Sequence, residues 1–139
     1  MQSREGFNVP PQSYWMASVP FTQYEPLTGN LDVDVVIVGG GITGITSAFL
    51  LKQSGLKVAL LEATRILHGT TGHTTANVTA QHDIIYYTIK SKMDQESAEQ
   101  YAKANQAAIS AIDTIIQQNN IDCDFSWQPA YVYTQDENY

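Results

Sequence analysis

The spacing of apolar and polar positions changes several times along the chain, and each change marks an element. Val33–Val38 (VDVVIV) is a short, β-branched run that ends in glycines, the pattern of a strand buried on both faces. From Ile42 to Ser54 the spacing becomes helical. Ile45, Ala48, Phe49 and Leu51 fall on one side, Lys52 sits in the last turn, and Gly55 follows as a stop signal. Lys57–Leu61 (KVALL) is a second apolar run, closed by Glu62. Strand, helix and strand within about 30 residues make a βαβ unit.

Beyond it, residues 63–80 are rich in Gly, Thr and His and read as a loop leading into a helix start. Ile84–Lys92 fits either period, and Ile85, Ile89 and Lys92 favour a helix. Asp94–Asn119 is an amphipathic helix. Its stripe is Tyr101, Ala108, Ile109, Ile112, Ile115 and Ile116, and it is expected to cover a sheet. Tyr131–Thr134 (YVYT) alternates like a half-buried strand, and the QDENY ending reads as a solvated turn. Residues 1–31 hold Pro10, Pro11, Pro20 and Pro26 among scattered aromatics (Tyr14, Trp15, Phe21, Tyr24), so an irregular, surface-packed arm is expected.

Composition narrows the function classes. With 7 Lys+Arg against 14 Asp+Glu, the net charge is −7 over 139 residues. Nucleic acid and anionic membranes are therefore not expected partners, since both need clustered cations. No apolar run approaches a membrane span, and the N-terminus lacks the apolar core of a secretory signal. Cys123 is the sole cysteine, which excludes an internal disulfide and suits a reducing, cytoplasmic setting. It is expected to be a small packing residue. His68, His73 and His82 lack the partners of a metal-ligating set, so no metal is expected; His68 and His82 are expected to be surface or packing residues.

The candidate chemistry lies at the first strand-to-helix turn. Gly39, Gly41 and Gly44 form G-x-G-x-x-G. The first permits the turn, the second lets backbone approach a pyrophosphate, and the third allows close packing of helix on strand. Ile42 and Thr43 open the helix, whose N–H groups and dipole favour an anion without any side-chain cation. Glu62 follows Gly44 by 18 residues, close to the ~20 expected for a carboxylate that accepts ribose hydroxyls and repels a 2′-phosphate. These features specify a Rossmann-type α/β core that binds an ADP-containing dinucleotide, and by themselves leave FAD and NAD open.

The stretches VDVVIVGGGITGITSAFLLKQSGLKVALLEA and GTTGHTTANVTAQH resemble the FAD-dependent oxidoreductases of the D-amino-acid oxidase family. SYW near the N-terminus and TTGHTTA after Glu62 are similar to a bacterial subgroup often fused to a Rieske domain. The resemblance implies FAD as cofactor and hydride abstraction from a carbon beside an amine of a small-molecule substrate. It implies pyrophosphate binding by Gly39, Gly41 and Gly44 and ribose binding by Glu62. It also places Arg65 near the nucleotide, and Thr70, Thr71, Gly72, His73 and Thr74 near the flavin and its phosphates. At His73 it leaves two readings, a hydrogen-bonded loop histidine and a covalent flavin attachment.

The resemblance also implies what lies outside the sequence. Residues 1–31 are expected to form the arm, 32–124 the N-terminal part of the dinucleotide-binding domain, and 125–139 the start of a substrate domain. The parallel sheet is expected to be incomplete and the chain inactive alone, with catalytic residues unassigned. Should it fold alone, self-association through open edges is expected. A stand-alone nucleotide-binding module and an NAD-dependent dehydrogenase remain as alternatives, and the threonine-rich loop weighs against the latter.

Overall fold

A computed structural model describes residues 12–20 and 22–135. Residues 1–11 and Phe21 of the proline-rich lead-in and the residues after Gln135 lie outside that set, including the main part of the expected terminal turn. The chain divides into two compact units, Met1–Thr75 and Ala76–Tyr139.

The first unit is built on the expected βαβ. Strand β1 (Val35–Val38) pairs in parallel with β2 (Val58–Leu61), in the register Val35↔Val58 to Val38↔Leu61. Helix α2 (Ile42–Gln53) connects them. Its C-terminus is closed by a pair of backbone bonds, Gly55 N–H to Lys52 O (3.0 Å) and Leu56 N–H to Leu51 O (3.2 Å), with Gly55 at φ +86°. This is a Schellman closure, in which the left-handed residue turns the chain back towards β2. The expected stop at Gly55 thus has a specific geometry. Asp34 accepts from the Lys57 N–H (2.8 Å) and ties the two strand starts together.

Ahead of the strands, α1 (Tyr14–Ser18) is a single helical turn within the irregular arm. After β2, residues 63–69 loop back, and Thr70–His73 form a 3-10 turn rather than the start of an α-helix.

In the second unit, α3 (Ile85–Lys92) and α4 (Gln95–Gln118) form a helical hairpin. The helical reading of Ile84–Lys92 holds. Tyr101 of α4 packs edge-on against Tyr86 of α3, with ring centroids 6.1 Å apart, and its hydroxyl lies 3.2 Å from His82 Nδ1. Within this unit the N-terminal part of α4 packs on α3. Ala98, in the first turn of α4, is buried; of the stripe, Tyr101, Ile109, Ile112, Ile115 and Ile116 are half-buried, whereas Ala108 is exposed. Asp94 caps α4 by accepting the Ser97 N–H at 2.6 Å.

Three expectations are corrected. β1 is not covered on both faces: Val35 and Ile37 are half-buried, but Val36 and Val38 are 54% and 85% exposed. Its continuous apolar run specifies a strand with two apolar faces, and whether both are covered depends on neighbours that two strands and one helix do not supply. Residues 131–134 form no strand, and Tyr131 and Tyr133 are more than four-fifths exposed. Alternation alone does not make a strand; a ladder partner is required, and these residues join none. Cys123 is exposed rather than packed.

The Ser97 N–H and then its hydroxyl hold the Asp94 carboxyl below its ordinary value. A depressed carboxylate pKa stabilises the fold above the unfolded value, and this contribution is lost as pH falls through the folded value. Asp94→Ala is therefore expected to fray α4 at neutral pH, read as faster amide exchange at Ser97. The difference from wild type should close in acid. Asp94→Asn, an acceptor that does not titrate, should keep the cap at every pH.

Candidate functional site

The turn between β1 and α2 is shaped by two close approaches. Gly39 continues the ladder through its N–H to Leu61 O (2.8 Å) and then adopts φ +108°, which glycine takes without strain. Gly44, in the first turn of α2, lies so near Gly39 O that any β-carbon would collide with that carbonyl. The first and third fingerprint glycines thus act on one contact.

Gly40 lies between them and is buried. Its N–H donates to Glu62 Oε2 at 2.8 Å, and its carbonyl accepts from the Leu67 N–H at 2.8 Å. Both sides of this peptide position are therefore occupied, one by the end of β2 and one by the loop beyond it. A β-carbon here would lie 2.7 Å from Ile66 Cγ2. Leu67 makes its contact from φ +61°, an uncommon conformation for a branched side chain and one that sharp loop reversals exploit.

Glu62 also accepts from the Thr64 N–H (3.0 Å) and hydroxyl (3.3 Å), both at Oε1. The Gly40 N–H first, then the Thr64 N–H, hold its carboxyl below the usual carboxylate range. An ionised carboxylate offers about four lone-pair positions, so Oε2, with one donor on it, retains acceptor capacity.

At the helix end, the N-cap position is Gly41, which has no side chain to cap the orphan donors. Thr71 supplies one acceptor instead: its Oγ1 takes the Ile42 N–H at 3.1 Å. A β-carbon on Gly41 would come to 3.4 Å from that oxygen and narrow the gap between turn and loop.

Beside these contacts lies an open cavity of about 420 Å³, within the range of about 300–1,000 Å³ common for small-molecule sites. Of the residues expected from sequence, Gly41, Glu62, Arg65, Thr70 and Thr71 line it. Gly39, Ile42, Thr43 and Gly44 form the turn and helix start behind it. Gly72, His73 and Thr74 are not among its walls. Gly72 is buried, the His73 Nδ1 lies 2.9 Å from Gly69 O, and the Thr74 carbonyl accepts from the Trp15 indole.

Sequence reasoning missed Gly40, Thr64, Leu67, His68 and Gly69, which complete the walls. The run of three consecutive glycines signalled Gly40, its middle member; the others follow Glu62 without any motif of their own. A larger open groove of about 1330 Å³ runs between arm residues 22–31 and β2, and shares Glu62, Thr64 and Arg65 with the smaller cavity. Among the described residues no group of His, Cys, Asp and Glu could hold a metal ion, and no helix is long and apolar enough to cross a membrane.

A family model of FAD-dependent oxidoreductases, DAO, matches residues 34–139. The putative Rieske 2Fe-2S iron–sulfur protein YhfW of Bacillus subtilis (strain 168) is 45% identical over 128 residues, 92% of this chain and 25% of that protein. Gamma-glutamylputrescine oxidoreductase of Escherichia coli (strain K12) is 29% identical over 114 residues, 81% of this chain and 27% of that protein. The chain thus spans about a quarter of the length of these curated relatives. Thiamine thiazole synthase of Desulfosudis oleivorans is 54% identical over only 39 residues, 28% of this chain and 15% of that protein. That short match has the length of a single dinucleotide fingerprint, whereas the first two take in the loop and the helical hairpin. No solved structure matches the chain.

The Gly40–Glu62 bond is expected to persist at pH 5. It should be lost only as pH falls through the lowered Glu62 value, because a depressed carboxylate contributes above its unfolded pKa and not below its folded one. The Gly40 amide chemical shift, followed by NMR against pH, reads this directly. Glu62→Gln should abolish the acid-range transition at that amide.

Proposed function

The chain belongs to the DAO family of FAD-dependent oxidoreductases, and on that premise we propose that its glycine turn and the loop after β2 bind the ADP side of FAD. The observation that favours this most is the convergence of three acceptor and donor sets on one cavity. The α2 N-terminus offers N–H groups and a positive dipole end, Glu62 offers a carboxylate, and Thr70 and Thr71 offer hydroxyls. The residues fit the group: pyrophosphate needs backbone donors and room beside Gly41, and ribose hydroxyls need the free capacity of Glu62 Oε2.

In this reading Gly41 admits the pyrophosphate, the N–H groups of Thr43 and Gly44 bind it, and Ile42 holds Thr71 beside it through the bond from its own N–H. Glu62 orients the ribose and disfavours a 2′-phosphate. Arg65, half-buried at the cavity wall, sets positive charge near the phosphates. Thr70, Thr71, Gly72, His73 and Thr74 face the flavin side. Bound FAD would supply the hydride-accepting chemistry. The parent activity is oxidation of an amine or amino-acid-like substrate, a class in keeping with the name of the gamma-glutamylputrescine relative. His73 is read as a hydrogen-bonded loop histidine, since its Nδ1 already faces Gly69 O.

Two outcomes test the reading. Titration calorimetry should show that Gly41→Val weakens both ADP and FAD roughly tenfold or more, a loss of at least about 1.4 kcal/mol. Unchanged affinity would sink the assignment. The 139-residue chain supplied with FAD should show no amine-dependent flavin bleaching under anaerobic conditions; bleaching would overturn the expectation that it is inactive alone.

A further inference from the structure

Helix α1 has five residues, too few to hold itself together in water. Its place is fixed by contacts with a segment almost 60 positions away. The Trp15 indole N–H donates to the Thr74 carbonyl at 2.7 Å. Met16, half-buried, lies over Gly72: a β-carbon there would come to 2.5 Å from Met16 Sδ. Tyr14 stands edge-on to the indole, with centroids 5.2 Å apart, and restricts its orientation.

The segment these residues touch is itself weakly held. Thr70–His73 is one 3-10 turn, whose hydrogen-bond geometry is poorer than that of an α-helix. Its backbone closure includes the bond from Gly72 N–H to Gly69 O at 3.1 Å. At its upstream part, Thr71 Oγ1 is fixed by the α2 N-terminus. At its downstream end, Thr74 is fixed by α1. The loop is thus pinned at two points, by two different elements, with Gly72 and His73 between them.

We propose that Trp15 and Met16 are positioning residues, which brace the Thr70–Thr74 loop so that its flavin-facing groups are set before the cofactor arrives. The proposal rests on the reading of this site as one for FAD. A loop fixed in advance loses less conformational freedom on binding, and the benefit falls on ligands that reach Thr74 rather than on those confined to the glycine turn.

Trp15→Phe removes the indole N–H and keeps an aromatic ring, so it is the variant to use, in the full 139-residue chain. Four readouts are compared with the unaltered chain. Amide exchange at Gly72, His73 and Thr74, without ligand, is expected to accelerate about five- to tenfold, the consequence of one lost hydrogen bond. FAD affinity is expected to fall by a similar factor and the visible circular dichroism of bound flavin to change. ADP affinity is expected to stay the same. If the unaltered chain binds ADP and FAD, and Trp15→Phe alters neither exchange nor FAD binding, the brace is wrong and the site reading stands. If ADP and FAD affinities fall together, α1 merely supports the fold and the proposal is overturned. If the unaltered chain binds neither ligand, the site reading fails and takes the proposal with it.

Discussion

Both hydrogen-bonding groups of Gly40 are taken up, its N–H by Glu62 and its carbonyl by Leu67. Through that one position the end of β2, the turn after β1 and the returning loop are fixed to each other. The neighbouring glycines complete the geometry: Gly39 turns the chain and Gly44 lets α2 approach the Gly39 carbonyl. The Gly40 contacts act together with the Ile42–Thr71 bond to fold the loop that brings Arg65, Thr70 and Thr71 to the cavity back against the helix start. The bonds are partly charge-assisted, since Glu62 is held ionised by the donors it accepts from.

This arrangement explains how a chain with a net charge of −7 can offer a site for a phosphate-containing cofactor. The anion-binding groups proposed for it are mostly main-chain N–H groups at the α2 N-terminus, which carry partial positive charge whatever the global balance. In the proposed reading, the Glu62 carboxylate on the cavity wall accepts ribose hydroxyls and disfavours a further phosphate. Attraction and exclusion are thus separated by the width of one turn, and Arg65 is the only cationic side chain of Lys or Arg type on the cavity wall among the described residues.

The loop after β2 is the least self-sufficient part of the first unit. It contains a left-handed Leu67, a single 3-10 turn and a buried Gly72, and it borrows its constraints from Gly40, the α2 N-terminus and α1. Such a segment needs support from outside itself to hold side chains at fixed positions. The second unit rests on different means, a capped helix and an aromatic contact between α3 and α4.

What was legible in the sequence was local. The βαβ unit, the fingerprint glycines, Glu62 at the end of β2, the Gly55 stop and the span of α4 all depend on residues a few positions apart. Their periodicity and backbone requirements are written in residue type. What only the tertiary structure decided involves partners distant in the chain: which β1 face is open at Val36 and Val38, the absence of a ladder at 131–134, Leu67 on Gly40, and Trp15 on Thr74. Residue type gives an indole N–H or a glycine carbonyl the capacity to bond, but the three-dimensional path of the chain chooses the partner.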